Sequence, residues 1–292
     1  MSLFDSRSLP LLPLVALLAA CAPKDASKPA NASDSTQAAA AAAAKPHQMT
    51  VVATDYAFDA PDQVPAGMMT IHLVDNGAEL HHVAFLKLND GKTMADVEQA
   101  MKSKGPMPAW AVDYGGVNPS HPGGGMATTT QMLEPGSYAL LCFIPSADGV
   151  PHFAKGMVRP LTVTASTEAA APAPTADIVM TLKDFSFTSS KPLTAGRHTI
   201  QIQNSGGQSH ELVLARMAPG KKAADLASWV EKQDGPPPAE PIGGVPAISK
   251  GASAYMTADL TPGDYALICF IPDAKDGKAH YTHGMIQDVH VD

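Results

Sequence analysis

A stretch in the middle of the chain gathers three side chains that are able to bind a metal. Cys142 is followed ten residues later by His152, and Met157 follows five residues after that. Thiolate and thioether are soft ligands and imidazole binds several transition metals, so the combination suits copper. One Cys, two His and a weak axial Met form the ligand set of copper sites that transfer electrons. The stretch therefore lacks one histidine.

The same arrangement occurs again near the C-terminus. Cys269 is followed by His280 and Met285, with the same five-residue step from His to Met. Each copy also has a histidine upstream, His81 for the first and His210 for the second. Both upstream histidines lie at the start of a short apolar run, which predicts a strand. Four candidate ligands thus recur in the same order.

These copies belong to a longer internal repeat. At a constant offset of 129 residues, the segment 55–58 matches the segment 184–187, and His81 falls on His210. Apolar and polar residues alternate in the matched segments, which predicts half-buried strands. We interpret the repeat as a duplication of one β-rich unit.

The repeat predicts two domains, at residues 48–164 and 177–292. The Ala/Pro/Thr-rich residues 165–176 lie between them and predict a linker. Each predicted domain also carries one short helix. Thr93 begins a pattern that resembles a capping box, and Leu226 begins an apolar stripe with helical spacing.

The composition favours turn-rich β structure. Of 292 residues, 26 are Pro and 23 are Gly, and aromatic residues make up only 5%. The net charge of −8 argues against nucleic acid as a partner, because phosphate binding needs a basic face. One cysteine falls in each predicted domain, so a disulfide within a domain is excluded. A metal ligand or a buried apolar residue are the explanations that remain.

The N-terminus predicts export and membrane anchoring. Residues 1–20 contain an apolar run too short to cross a bilayer, and small residues precede Cys21. This resembles a bacterial lipoprotein signal, which implies lipidation of Cys21, whereas an ordinary secretory signal is the alternative. Residues 21–47 are rich in Ala and Pro and predict a flexible tether. The expected location is the periplasmic or cell-surface side of a membrane. Ala22 after the cysteine favours the outer membrane.

Both halves resemble cupredoxins, the family of small blue-copper proteins. The resemblance rests on the aromatic opening strand, the upstream His, the Pro-Gly-x-Tyr hairpin that leads to the Cys, and the five-residue step from His to Met. The ligand loops are most similar to those of rusticyanin and sulfocyanin, but the interval from Cys to His is longer here. We interpret the extra residues as a surface loop. The resemblance implies an all-β fold of two tandem Greek-key β-sandwiches, each with one short inserted helix.

The resemblance also implies one type 1 copper per domain. The thiolate ligands would be the two cysteines, the imidazole ligands four histidines, and the axial ligands two methionines. In chain order they are His81, Cys142, His152 and Met157, then His210, Cys269, His280 and Met285. In this family, electrons pass through a ligand histidine that is exposed at the surface.

The predicted role is one-electron transfer by a membrane-anchored protein, with a redox protein such as a cytochrome as partner. Two alternatives remain for the same fold. A copper chaperone or store would use the same ligands to exchange the ion, and a structural or binding module would hold no metal. Catalysis of the multicopper oxidase or nitrite reductase type is not expected. Those enzymes typically place a His directly before the Cys, where this chain has Leu141 and Ile268.

Overall fold

The structure is a computed structural model that describes residues 44–103 and 107–292. The predicted signal peptide, Cys21 and nearly all of the predicted tether lie outside the described residues. Neither α-helix in the described ranges is long and apolar enough to cross a membrane. The predicted linker, residues 165–176, contains no helix or strand.

The first half of the described chain consists of strands and one helix, α1 (Met94–Lys102). Its strands are β1 (His47–Thr54), β2 (Ala57–Asp59), β3 (Gln63–Pro65), β4 (Gly67–Asp75), β5 (Val83–Leu88), β6 (Ala111–Val117), β7 (Gly125–Leu133), β8 (Gly136–Leu141) and β9 (Val158–Thr164).

The second half repeats this order with helix α2 (Ala223–Lys232), except that no described strand corresponds to β3. Its strands are β10 (Ile178–Lys183), β11 (Ser186–Ser189), β12 (Gly196–Asn204), β13 (His210–Met217), β14 (Ala239–Ile248), β15 (Ser253–Leu260), β16 (Gly263–Ile268) and β17 (Ile286–Val291).

Each half has a hydrophobic core of its own. Alternate residues of β1 and β4, such as Val51 and Ile71, are buried and meet Phe85 and Leu140 from β5 and β8. An equivalent cluster in the second half contains no residue of the first. The alternation arises because successive side chains of a strand point to opposite faces.

The helices cover the outer face of this layered core. At the start of α1, the Asp96 side chain accepts hydrogen bonds from the backbone N–H and the hydroxyl of Thr93, which confirms the predicted capping box. Val97 of α1 packs with Leu86 and Leu141 on the outside of the sheet. Helix α2 packs likewise through Leu226.

The strands of both halves join into two continuous sheets. One has the order β11-β10-β12-β15-β7-β4-β1-β2, and the other β17-β16-β13-β14-β6-β5-β8-β9-β3. The halves meet where β15 pairs with β7 and where β14 pairs with β6. Repeat-equivalent strands therefore meet each other at both junctions. The predicted all-β class with one short helix per half is confirmed, whereas the division into two separate Greek-key sandwiches stays a prediction.

Candidate metal centres

The ligand loops place Cys, His and Met close together by backbone hydrogen bonds. Cys142 directly follows β8, and His152 opens a short 3-10 turn. The Phe153 N–H donates to the Cys142 carbonyl at 2.8 Å, and the Met157 N–H donates to the His152 carbonyl at 3.0 Å. The Cys142 N–H in turn donates to the Met157 carbonyl at 3.3 Å. The three candidate ligands are thus held by one hydrogen-bonded frame.

The extra residues between Cys and His form a small hairpin. Pro145 pairs with Pro151 at its base, and Pro272 pairs with Ala279 in the second loop. Residues 147–150 between the first pair are exposed. The insertion therefore extends outward, as predicted, and the chain returns to the same point before the histidine.

At the first centre, three predicted ligand atoms face one another in the protein interior. The Nδ1 atoms of His81 and His152 are 2.9 Å apart, and Cys142 Sγ is 3.4 Å from His152 Nδ1. All three side chains are fully buried. Met157 is also fully buried and belongs to the same core cluster as Cys142. The structure thus brings the three nitrogen and sulfur ligands together.

The far side of each imidazole is occupied by a carboxylate. His81 Nε2 lies 2.6 Å from Asp55 Oδ1, and His152 Nε2 lies 2.9 Å from Glu79 Oε2. Burial acts to raise the pKa of both carboxyls, but hydrogen bonds, including those from the histidines, hold each pKa below its ordinary value. The carboxylates are therefore acceptors, and an acceptor at each Nε2 favours the tautomer that carries its proton there. In that tautomer both Nδ1 atoms direct lone pairs toward the same point, where a metal cation can be bound by both.

The second centre repeats this geometry with one difference. The Nδ1 atoms of His210 and His280 are 3.0 Å apart, and Cys269 Sγ is 3.4 Å from His280 Nδ1. His210 Nε2 lies 2.5 Å from Asp184, but His280 Nε2 is buried without a hydrogen-bond partner in the described residues. All three ligands, and Met285, are fully buried. The proton of His280 is therefore not fixed at Nε2.

Glycine is required beside the upstream histidine of each centre. A Cβ atom at Gly77 would lie 2.4 Å from His81 Nε2, and one at Gly206 would lie 2.5 Å from His210 Nε2. Such distances are shorter than any real Cβ contact. The Asp–His hydrogen bond can form only because the loop before the histidine has no side chain at this position.

Burial makes both thiols poor acids in the metal-free protein. Desolvation raises the pKa of Cys142 to about 12, and it raises the pKa of Cys269 as well. It also lowers the pKa of His280 to about 4, so this imidazole stays neutral at neutral pH. A metal ion must displace a proton from each thiol to bind, and a sulfur and two neutral imidazoles together favour copper.

Sequence reasoning missed the groups that lie next to the ligands. Asp55 and Asp184 match each other in the repeat, which was the available signal, but nothing assigned them a role. His82 and Glu211 occupy equivalent positions after the upstream histidines and are both buried. His82 Nε2 accepts a hydrogen bond from the Phe143 N–H at 2.9 Å, so this ring lies behind the cysteine and outside the ligand group.

The expectation of an exposed ligand histidine is wrong. His152 and His280 are fully buried. The ring of Tyr56 lies 4.9 Å from that of His152, and Phe185 lies 5.0 Å from His280. These aromatic residues belong to a distant part of each repeat and cover the histidines.

A third group of possible ligands lies in the second loop, where Asp273 is buried and Asp276 and His283 are exposed. It consists of Asp273, Asp276 and His283. His283 Nε2 is 3.2 Å from Asp276 Oδ1, and it does not belong to the group formed by Cys269 and the two buried histidines. His283 is thus placed apart from the centre.

No family model matches the chain, and no curated protein matches it. Among solved structures, the chain is similar to an auracyanin from the photosynthetic bacterium Roseiflexus castenholzii. The identity is 24% and the TM-score 0.28, over 40% of this chain and 96% of that one. A copper nitrite reductase from Nitrosomonas europaea shares 16% identity at a TM-score of 0.26, over 85% of this chain and 94% of that one. A multicopper oxidase shares 13% identity at a TM-score of 0.25, over 84% and 88%. These TM-scores are too low to assign a function.

Proposed function

We propose that the protein binds copper at both centres and carries electrons one at a time. The observation that carries this proposal is the facing pair of Nδ1 atoms, 2.9 Å apart at His81 and His152, beside a buried thiol. With both Nε2 atoms bonded to carboxylates, both Nδ1 atoms are directed at a common point that fits a metal cation. The thiol makes copper the best match among transition metals.

The residues of each centre would hold copper in a fixed, dry environment. Copper supplies one-electron exchange when it is bound. The Asp carboxylate orients the upstream imidazole through its Nε2 proton, which presents Nδ1 to the metal. The backbone frame of each ligand loop fixes the thiolate, and the buried surroundings keep water away from it. A rigid site of this kind limits the rearrangement that accompanies a change of oxidation state.

Burial of all the ligands favours electron transfer over copper delivery. A chaperone must pass its ion to a partner, which is easiest from ligands at the surface. Here none of the six His and Cys ligands is exposed. Electrons, in contrast, can pass through a thin protein layer, such as Tyr56 over His152, without movement of the ion.

The proposal includes attachment to a membrane through a lipid on Cys21 and a redox protein as electron partner. The small residues before Cys21 and the Ala/Pro-rich residues after it support the first part. We expect Cys21→Ser to release the protein from the membrane fraction in soluble form. Continued membrane association of this variant would contradict the anchor.

Titration of the purified chain with copper(II) tests the central proposal. We expect two coppers per chain and an intense visible band from copper–thiolate bonding, which bleaches on reduction and returns on oxidation. A colourless copper(I) complex that passes its ion to a chelator would point to copper handling. No binding at all would point to a metal-free module and would refute the proposal.

A further inference from the structure

The repeat places a buried polar residue directly behind each cysteine. At the first centre this residue is His82, whose Nε2 accepts from the Phe143 N–H at 2.9 Å. At the second centre it is Glu211, whose Oε1 accepts from the Phe270 N–H at 2.7 Å. Each donor amide belongs to the residue that follows the cysteine. Both polar groups are therefore hydrogen-bonded to the backbone directly after a candidate metal ligand.

Asn118 lies at the junction between the two halves. It follows the end of β6, is fully buried, and donates from its backbone N–H to the Gly244 carbonyl at 3.1 Å. Its side-chain Nδ2 donates to the Leu212 carbonyl, in the residue after Glu211, at 2.9 Å. The match to Asn118 in the second half is Pro246, so the junction contains a single Asn at this position.

The same side chain faces His82 and Glu211. A neutral His82 that accepts at Nε2 carries its proton on Nδ1, and Asn118 Oδ1 is a buried acceptor without a hydrogen-bond partner in the described residues. Burial lowers the pKa of His82 to about 4 and raises that of Glu211 to about 7, and Asn118 opposes both shifts. Asn118 therefore lies in the same buried junction as the polar residues behind the two cysteines, and its side chain bonds to the backbone beside Glu211.

These contacts form one buried route between the centres. From Cys142 the route passes through the Phe143 amide to His82 and its neighbour Val83. Val83 pairs with Val117 between strands β5 and β6, and Val117 is bonded to Asn118. From Asn118 it continues to Leu212 and Glu211, and through the Phe270 amide to Cys269. Electrons tunnel faster along covalent and hydrogen bonds than across gaps between atoms. The side chains of His82, Asn118 and Glu211 on this route are buried, so the route runs through protein and not through water.

We propose that Asn118 couples the two metal centres, so that an electron received at one passes to the other within the molecule. This inference rests on the proposed function, since it requires redox-active copper at both centres. The step balances as a self-exchange: one centre is oxidised by one electron and the other is reduced by one. No bond to carbon, nitrogen or hydrogen has to form or break, and no external oxidant is consumed.

The test measures electron exchange between the centres of the copper-loaded chain after a pulse that reduces one equivalent. Met157→Gln serves as the background in all samples, because a changed axial ligand gives the first centre a distinct spectrum and potential. We expect Asn118→Leu, which has a similar volume and no polar atoms, to slow the exchange severalfold. Copper content and both potentials should remain close to those of the background protein.

Gln131→Met provides the matched control. Gln131 is a buried polar residue of β7 near the same junction, but its side chain bonds only to Gly116 and Tyr114 of the first half. Its replacement should leave the exchange rate unchanged. If Asn118→Leu does not fold, Asn118→Ala removes the same contacts with less steric demand.

The outcomes separate the coupling from the function on which it rests. Normal copper bands with an undiminished exchange rate in the Asn118 variants would overturn the coupling and leave electron transfer standing. An equal loss of rate in Gln131→Met would also overturn it, by showing a general effect of the junction. A chain that binds no copper would overturn both.

Discussion

At the first centre, Glu79 accepts a hydrogen bond from His152, whereas the second centre has Gln208 at the equivalent position and a His280 Nε2 without a partner. The Gln208 side chain instead accepts from the Ala274 N–H in the ligand loop. The ligand geometry of the two centres is nearly identical, since their Nδ1 and Sγ distances agree within 0.1 Å. The duplication has kept the ligands and changed what lies against them.

The residues that cover the ligand histidines are also more polar at the first centre than at the second. At the first centre, the Tyr56 hydroxyl donates to Glu79, and Lys155 lies over the Tyr56 ring and pairs with Asp148. At the second, Phe185 replaces the tyrosine. The first centre has one more carboxylate at its ligand histidines than the second, that of Glu79 beside His152, and this negative charge stabilises the more positive, oxidised metal. We therefore expect the first centre to have the lower reduction potential, so that an electron shared by the pair resides mainly at the second.

The largest expected effect separates the centres completely. Cys142→Ser and Cys269→Ser should each remove the copper–thiolate band of one centre and leave that of the other, because each thiol belongs to one ligand group. The double variant should be colourless. Visible absorption and copper analysis measure both effects. Loss of all colour in one single variant would mean that the two loops share one metal.

The residues behind the cysteines should give the metal-free protein opposite pH dependences. Because burial raises the pKa of Glu211 to about 7, its contribution to stability is full below about 4.5 and is lost as the pH rises through about 7. Because burial lowers the pKa of His82 to about 4, its contribution is full above about 6.5 and is lost as the pH falls through about 4.

Between about pH 4.5 and 6.5 these two contributions offset each other in the unsubstituted protein. Glu211→Gln should therefore make stability rise with pH in this range, and His82→Gln should make it fall. A pKa shift of this size changes the free energy of unfolding by about 3 kcal/mol over the pH range between the unfolded and folded pKa values. Denaturant unfolding at a series of pH values measures the slopes. Equal slopes in both variants would contradict the assignment.

A smaller effect concerns the potentials. Glu79→Gln should raise the potential of the first centre, and Gln208→Glu should lower that of the second. A partly exposed charge at this position is worth about 1 kcal/mol after solvent screening, or about 40 mV for one electron. Redox titration of both centres measures the shifts. If each substitution moved both potentials equally, the comparison between the centres would be wrong.

The smallest effect is expected for His283. Its Nε2 pairs with Asp276 at the surface, outside the buried ligand group, so His283→Ala should leave the copper spectrum of the second centre nearly unchanged. His280→Ala removes a ligand and should abolish that spectrum. The reverse result would place His283 at the metal.

The candidate ligands could be chosen from the sequence because the duplication repeats each of them in the same order. The alternation of β4 and the stripe of α2 were also readable, since they depend on residues close in sequence. The partners of the histidines were not. Glu79 reaches His152 across 73 residues, and Tyr56 covers the same ring from the opening strand region, so neither contact leaves a local pattern. No sequence pattern indicated a role for Asn118 either, because its proposed role depends on strand pairing between the halves.

The meeting of equivalent strands at both junctions has a consequence for shorter chains. An interface that joins like to like is self-complementary, as in a twofold symmetric dimer. A fragment that carried one repeat would expose the free edges of β6 and β7, and unpaired edges recruit other strands. Two such fragments could pair through those same edges. The molecule thus joins two repeats in one chain with an arrangement like that of a twofold dimer. Because both repeats belong to one chain, a position can differ between them, as His82 and Glu211 do.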